Sequence, residues 1–240
     1  MSNQYDGCVF LKNVRLSFPN LTAPRAPQGS DKKKYSADFI LTPNDPNFDK
    51  LVQIALGLAQ KKWPAHYQAI INVIYANRKS RCFGDGSEKM DTQTYKILNG
   101  YEGMKYLSAS RSEEKGMPQM IGPDNKGIDP TNLLQCRAEA AKMYGGCYVN
   151  AVVKPWIYDN PFGKGISADL VAIQFAGDGE PFGAGVTNAE GLFEGGQVAQ
   201  PALGGAPAFP PVQQPATAAP TFAPPPQFPP AGQPLKLPWE

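Results

Sequence analysis

Hydrophobic and polar residues alternate along several stretches of this chain, which is the period of a β-strand with one buried face. In residues 8–18 the apolar residues Val14, Leu16 and Phe18 are separated by polar ones, and Pro19 ends the run before a loop at 20–31. A continuous apolar run of strand length predicts another strand at 69–75. The alternating pattern also predicts strands at residues 35–41, 105–111, 117–121, 147–158 and 166–176.

Two other stretches predict helices. The first begins at Asp45-Pro46, where an N-cap acceptor precedes a proline, and ends at Lys61-Lys62 before Trp63-Pro64. The second covers residues 131–144, and Gly145-Gly146 suits a left-handed C-terminal cap. Several short strands with one or two inserted helices predict a mainly β domain, either a small antiparallel barrel or an open sandwich.

The periodicity ends near residue 185, and the composition changes there. Thirteen of the 25 prolines fall in residues 201–240, among many alanines, glycines and glutamines. Such a segment cannot bury enough apolar surface to offset its chain entropy. We therefore predict a folded domain over residues 1–185 and a disordered Pro-rich tail over residues 186–240. The tail carries one lysine and three glutamates, which leaves a net charge of +4 on the domain.

The last residues of the tail combine apolar anchors with a terminal carboxylate. Leu237, Trp239 and Glu240 lie within a short segment that follows a long Pro-rich arm. This combination is typical of a short docking peptide, and the alternative is an inert solubilising extension. We expect the tip to dock to partner proteins.

Several function classes lack their sequence signals. There is no run of 18 apolar residues and no signal-peptide pattern, so we expect no membrane span and a cytoplasmic location. The four cysteines form no CxxC pair, which predicts reduced buried thiols and no zinc site. The single histidine, His66, has no partner motif, and no metalloprotease, serine-hydrolase or P-loop motif occurs. We expect no enzymatic activity, no metal and no cofactor.

The strand predicted at 147–158 has one small apolar face and one unusual outward face. The outward face carries Tyr148, Lys154, Trp156 and Tyr158. Bases of a nucleic acid strand stack on such rings, at roughly 1–3 kcal/mol per base, while the cation meets phosphate. A second core beneath the helices, or a dimer interface, is the alternative use of these rings.

Three clusters of basic residues each have an aromatic neighbour and a loop setting. Loops at the rim of a barrel line one groove, and a groove of cations and rings follows a flexible polyanion. The clusters are Lys32, Lys33 and Lys34 beside Tyr35; Arg78, Lys79 and Arg81 beside Phe83; and Arg111 and Lys115 at the end of the strand that holds Tyr106. A solvated surface is the alternative for any one cluster.

Six short motifs occur in an order that resembles a known family. They are FLKNVRLSFP at 10–19, KKYSADFIL at 33–41, DGSEK at 85–89, YLSAS at 106–110, YGGCYV at 144–149 and DGEPFG at 178–183. In this order they resemble the single-stranded DNA-binding proteins of tailed bacteriophages. The resemblance implies an OB-fold-like antiparallel barrel, DNA bound in a basic aromatic cleft, and a tail that contacts replication proteins. The tail of that family is often strongly acidic, whereas here Glu240 is the only acid near the end.

These patterns together predict a non-enzymatic protein that binds single-stranded DNA without strong sequence preference. It would coat and protect that DNA in phage replication and recombination, in the cytoplasm of a bacterial host, while its tail recruits partner proteins. Duplex DNA and RNA are weaker partners that the sequence does not exclude, and a homodimer stays open. The alternative is an assembly protein that uses its aromatic strand as a protein interface.

Overall fold

The computed structural model of this chain describes residues 6–27, 29–161 and 163–183. The domain boundary predicted near residue 185, the Pro-rich tail and the docking residues Leu237, Trp239 and Glu240 lie outside the described residues.

The described part is mainly β, with three α-helices inserted between strands. The strands are β1 (Val9–Arg25), β2 (Lys34–Leu41), β3 (Phe83–Asp85), β4 (Lys105–Ser112), β5 (Gln119–Ile121), β6 (Tyr148–Asn160) and β7 (Gly163–Gly177). The helices are α1 (Pro46–Lys62), α2 (Tyr67–Ala76) and α3 (Leu133–Ala141). Short 3₁₀ turns occupy Arg78–Ser80, Gly86–Glu88 and Glu113–Lys115.

The seven strands form one sheet in the order β3-β4-β2-β1-β6-β7-β5. Every pair is antiparallel except β5 with β7, so the sheet is mixed. The sheet curls back on itself, since β4 contacts β7 and a parallel bridge joins Arg81 to Ile166. We call this line of contact the seam. The predicted mainly β, OB-fold-like domain with inserted helices is confirmed.

Alternation along the strands builds the core. One face of β6 places Val149, Ala151 and Val153 in the interior, where Leu107 of β4 and Leu170 of β7 are fully buried. The opposite face of β6 points outward, as its sequence predicts. The core therefore fixes which side chains of each strand remain available to a ligand.

Helix α1 begins and ends as its sequence predicts. Asp45 Oδ1 accepts a hydrogen bond from the backbone N–H of Asn47 at 2.8 Å, Pro46 occupies the first turn, and Lys61 and Lys62 lie in the last turn. The N-cap bond satisfies one of the free N–H groups of the first turn, and the lysines face the negative end of the helix dipole.

The strand predicted at residues 69–75 is wrong, because this segment lies within helix α2. A short apolar run does not distinguish a buried strand from a buried helix by its period alone. The helix buries Ile71 and Ile74, which are three residues apart, against the core and leaves Val73 exposed. The helical spacing of the buried residues decides between the two structures.

Strand β1 extends beyond the predicted end at Pro19 and reaches Arg25. The register with β2 shifts between Ser17 and Asn20, so the proline falls at a bulge in the ladder. Bulges are one of the few places in a sheet that tolerate proline, because no ladder N–H is needed there. The predicted loop at 20–31 is correspondingly shorter.

The second predicted helix is also shorter than its pattern suggested. Helix α3 ends at Ala141, so Gly146 is not its C-terminal cap. Gly146 instead has φ +111° and lies so close to the backbone of Glu180 that a Cβ atom would clash with it. Glycine is needed here for a close approach of two backbone segments.

All four cysteines (Cys8, Cys82, Cys136 and Cys147) are buried and free, as the sequence predicts. Burial raises the pKa of the Cys82 thiol to about 12, so this thiol is neutral near pH 7. Within the described residues, no helix combines the length and apolar character needed to cross a membrane.

Candidate nucleic-acid interface

The outward face of β2 and β4 forms the floor of a groove of about 440 Å³, which we call the central groove. Ser36 pairs with Ser110 and Asp38 with Ser108 across the two strands, so small polar side chains cover this floor. From there the groove crosses the seam to β6 and β7. Its lining consists of Lys34, Ser36, Asp38, Lys79, Arg81, Cys82, Ser108, Ala109, Ser110, Trp156, Tyr158, Asn160, Ile166 and Ser167.

Two aromatic rings of β6 form one wall of the central groove. Trp156 and Tyr158 lie on the same face of the strand, with ring centroids 6.0 Å apart and planes inclined at 59°. The Trp156 side chain is 45% exposed although its strand lies in the middle of the fold. A large exposed ring beside a polar floor is suited to stacking against a planar ligand.

Lys34 and Lys79 bring positive charge to the same groove. Lys34 begins β2, and Lys79 lies in the 3₁₀ turn before β3, where Asn77 caps its backbone N–H. Within the described residues, neither lysine forms an ion pair with a carboxylate. Both ammonium groups are therefore available to an anionic ligand. Lys32 and Lys33 are exposed in the loop just before β2.

Arg81 also lines the central groove, but each of its three guanidinium nitrogens already donates a hydrogen bond within the fold. Nη2 donates to Glu88 Oε1 at 2.8 Å, Nη1 to the carbonyl oxygen of Phe83 at 2.6 Å, and Nε to that of Tyr75 at 3.1 Å. The Arg81 side chain is only 10% exposed. Its geometry indicates a structural role at the seam.

A second ion pair neutralises the acid on the groove floor. Lys89 Nζ lies 2.7 Å from Asp38 Oδ2 and also donates to Ser108 Oγ at 3.1 Å. The Tyr101 hydroxyl donates to the same carboxylate at 3.2 Å. Asp38 therefore does not present an uncompensated negative charge to a ligand in the groove.

Two buried tyrosines donate hydrogen bonds to the carboxylates of the Lys89–Asp38 and Arg81–Glu88 ion pairs. Burial, with the nearby Asp38 charge, raises the pKa of Tyr101, and burial, with the nearby Glu88 charge, raises the pKa of Tyr106. The Tyr106 hydroxyl donates to Glu88 Oε2 at 3.2 Å. Both phenols therefore stay protonated and serve as hydrogen-bond donors to the carboxylates.

A second compartment of about 340 Å³ adjoins the central groove and shares Lys79, Arg81 and Ser108 with it. Arg78 lies here and donates to the carbonyl oxygen of Glu88 at 2.8 Å. The exposed Met90 continues the lining. The groove thus extends past the 3₁₀ turns toward the loop that follows Lys89.

Arg111, Lys115 and Lys154 lie around one carboxylate at the seam. Arg111 Nη1 and Lys115 Nζ lie 3.0 Å and 3.4 Å from Asp169 Oδ2, and Lys154 pairs with Asp169 in the β6–β7 ladder. Lys154 precedes Trp156 on the outward face of β6 and is exposed. Two cations pair with this acid and Lys154 lies opposite it in the ladder, so the seam beside Asp169 keeps positive charge.

Three predicted ring residues are buried in the fold. Tyr35 and Phe83 are buried in the interior, and Phe83 makes edge-to-face contacts with Phe48 and Tyr75 at 5.8 and 5.9 Å. Tyr106 is also buried, although its edge lines the second compartment. Their assignment as DNA-contacting residues stays a prediction, and the structure gives each of them a packing role.

Tyr148 is the one outward ring of β6 that lies far from the central groove. Eight residues separate it from Trp156, which is about 26 Å along a strand. The guanidinium carbon of Arg15 lies 5.7 Å from the Tyr148 ring centroid and 4.4 Å from that of Phe182. Tyr148 thus belongs to a separate cluster near the end of the described chain.

Sequence reasoning missed the serine floor and Lys89. The alternation in residues 35–41 and 105–111 indicates which positions face outward, but only the register of β2 against β4 brings Ser36 next to Ser110. Lys89 lies beside Glu88 in sequence, yet it pairs with Asp38 of β2 while Glu88 pairs with Arg81, and this choice of partners depends on the fold. The serines at alternating positions were the available signal.

Comparison of the sequence with protein families gives one match over most of the chain. Residues 8–203 match the family described as Enterobacter phage Enc34, ssDNA-binding protein. The chain is also 36% identical over 187 residues to putative protein p50 of Acyrthosiphon pisum secondary endosymbiont phage 1. That alignment covers 76% of this chain and 90% of the phage protein.

Solved structures of phage proteins show more distant similarity. The single-stranded DNA-binding protein from bacteriophage Enc34, in complex with ssDNA, is 24% identical with a TM-score of 0.49, covering 74% of this chain and 90% of that chain. The single-stranded DNA-binding protein gp2.5 of bacteriophage T7 is 13% identical with a TM-score of 0.44, covering 80% and 98%.

We predict that Arg81→Ala destabilises the domain. The substitution leaves Glu88, which is 23% exposed, with the Tyr106 hydroxyl but without its cationic partner, so the free energy of unfolding should fall by about 2 kcal/mol, below the range for a fully buried pair. Urea denaturation followed by circular dichroism measures this loss. The exposed Arg78→Ala is the matched control and should cost less than about 1 kcal/mol. Equal losses in the two variants would contradict the structural role of Arg81.

We also predict that the domain loses stability in alkali. The folded state holds Tyr101 and Tyr106 protonated, so above the ordinary phenol pKa of 10.0 the unfolded chain releases protons that the folded chain keeps. Stability should fall by about 1 kcal/mol per pH unit for Tyr101 alone. Urea midpoints between about pH 8 and about pH 11 test this, and Tyr101→Phe should flatten the decline. An unchanged slope in that variant would exclude Tyr101 as a source.

Proposed function

The chain belongs to the family of the Enterobacter phage Enc34 ssDNA-binding protein, a non-enzymatic class, and from this premise we propose that its central groove binds single-stranded DNA. Bases stack on Trp156 and Tyr158, and phosphates contact Lys34 and Lys79. The observation that carries this proposal is the convergence of two rings and two lysines without carboxylate partners, within the described residues, in one groove.

The serine floor supports an extended single strand as the ligand. Ser36, Ser108 and Ser110 are too small to fill the groove, so a flat base has room between the rings and the floor. Hydroxyl groups offer hydrogen bonds to sugars, bases or phosphates without demanding one base. Rings and phosphate contacts read no base edge, so binding should tolerate most sequences.

The cations divide into two groups with different tasks in this proposal. Lys34, Lys79 and the exposed Lys32, Lys33 and Lys154 contact phosphates. Arg81, by contrast, organises the groove, and Arg111 and Lys115 share Asp169 across the seam. A ligand would gain little from Arg81, because its charge is already paired with Glu88 and its side chain is only 10% exposed.

The biological role follows from the same chemistry. A protein that covers single-stranded DNA without sequence preference protects the strands exposed in phage DNA replication and recombination, and we place this one in the cytoplasm of the bacterial host. The segment after residue 185 would act as an arm whose tip, with Leu237, Trp239 and Glu240, docks to replication proteins.

Lys79→Ala should weaken single-stranded DNA binding without changing stability. Loss of one phosphate contact lowers the slope of log K against log salt concentration by about 1. Fluorescence anisotropy of a labelled oligo(dT) at several salt concentrations measures the slope. Lys50→Ala on α1 is the matched control, since Lys50 is exposed and lines neither groove compartment. An unchanged slope in Lys79→Ala would remove this lysine from the interface.

Trp156→Ala should lower the affinity for oligo(dT) by about 1–3 kcal/mol, the value of one base stacked on a ring. Trp156→Phe keeps a ring and should recover part of this loss. The melting temperature should change little because the side chain is half-exposed. Titration with single-stranded, duplex and RNA oligonucleotides completes the test, and tighter binding of a duplex would overturn the proposal of a single-strand groove.

A further inference from the structure

Two bulky aromatic residues have backbone angles that side chains rarely adopt. Phe18 has φ +47° and Tyr95 has φ +56°, both in the left-handed region. Among the described residues, the other non-glycine residues with positive φ are Asn13 and Asn125, which tolerate this region well. Backbone strain at large side chains is concentrated at binding and catalytic sites in proteins.

Both strained rings are exposed. Phe18 is 55% exposed and Tyr95 75% exposed, so neither gains much burial in return for its backbone strain. Phe18 lies at the β1 bulge before Pro19, which turns its ring away from the core. Tyr95 lies at the end of a turn held by Asp91, whose Oδ1 accepts hydrogen bonds from the N–H of Gln93 and from the N–H and hydroxyl of Thr94.

Phe18 and the chain neighbours of Tyr95 line one concavity of about 600 Å³, which we call the distal pocket. Phe18 lines it directly, and Tyr95 lies between Thr94 and Lys96, which both line it. Its other walls are Ile97, Leu98, Asn99, Tyr101 and Phe182, together with Ser17, Pro19, Asp91, Gly145 and Gly183. Rings, apolar side chains and one lysine thus meet on a surface separate from Trp156.

The distal pocket continues the groove. Leu98 lines both the distal pocket and the second compartment, and the second compartment shares Lys79 and Arg81 with the central groove. The segment between the two is a short hairpin, in which Met90 pairs with Ile97 and Leu98 N–H donates to the carbonyl of Lys89. A strand that leaves the central groove along Lys89 therefore reaches the distal pocket next.

We propose that the distal pocket is a second stacking site for the same DNA strand, where Phe18 and Tyr95 stack on bases and Lys96 contacts a phosphate. This inference rests on the function proposed above and extends its site. Lys96 is exposed and, within the described residues, forms no ion pair. Continuity with the central groove, together with this free cation, identifies a nucleic acid strand as the occupant.

The two sites differ in the length of DNA that each needs. An oligonucleotide of about 5 nucleotides fills the central groove alone, whereas one of about 15 nucleotides reaches both sites, within the range covered by one OB fold. The test uses the full chain and labelled oligo(dT) of both lengths in fluorescence anisotropy. The variant Phe18→Gly with Tyr95→Gly removes both rings and suits both backbone angles.

We expect this double variant to bind the long oligonucleotide about tenfold more weakly and the short one within about twofold of the parent chain. Its melting temperature should equal or exceed that of the parent, because glycine relieves the strain. A second variant, Phe18→Ala with Tyr95→Ala, should lose the same affinity but melt lower than the glycine variant. Leu134→Ala removes an exposed apolar residue of α3 and is the control that should change nothing.

Three results would overturn the inference while leaving the central groove intact. One is unchanged affinity for the long oligonucleotide. Another is an equal loss at both lengths, which would mean a general effect on the fold or the central groove. The third is tighter binding at both lengths, which would mean that the pocket holds a competitor such as the chain's own C-terminal segment. If the parent chain binds neither oligonucleotide, the proposed function fails first, and the inference fails with it.

Discussion

The arginine at the seam is the constraint on which the groove depends. Arg81 joins the end of α2, the start of β3 and the turn at Glu88 through one guanidinium group, and its backbone bridges to Ile166 of β7. Together with the Arg111–Asp169 ion pair, this bridge links the first half of the sheet to β7 along the seam. The groove floor, the Trp156 wall and the Lys79 turn keep their relative positions because Arg81 holds them together.

Neighbouring cations in this protein have different roles because of where the chain places them. Lys79 and Arg81 are two residues apart, yet Lys79 lies in a 3₁₀ turn and forms no ion pair among the described residues, whereas the Arg81 side chain is only 10% exposed at the bridge and pairs with Glu88. Removing a cation from water costs free energy unless the cation is paired and hydrogen-bonded, so the bonds of Arg81 serve to stabilise the fold. Exposed lysines bear no such requirement and remain available to a polyanion. The three basic clusters of the sequence therefore include residues, such as Arg81, that stabilise the fold and do not bind the ligand.

The sequence predicts most of the fold and part of the site, for identifiable physical reasons. The outward face of β6, the capping of α1 and the mainly β class follow from periodicity and local hydrogen bonding. The α2 helix was predicted as a strand because a short apolar run lacks a decisive period. The serine floor depends on the register of β2 against β4, and the Lys89–Asp38 pair joins residues 51 positions apart, which no local pattern encodes.

The seam has a consequence for the mechanical behaviour of the bound protein. The central groove crosses it, so a ligand lying there touches β2 and β4 on one side and β6 and β7 on the other. Such a ligand bridges the two sides of the seam, so separating them would first require breaking its contacts. Amide hydrogens along the seam should therefore exchange more slowly in the occupied state, and proteases should find fewer openings.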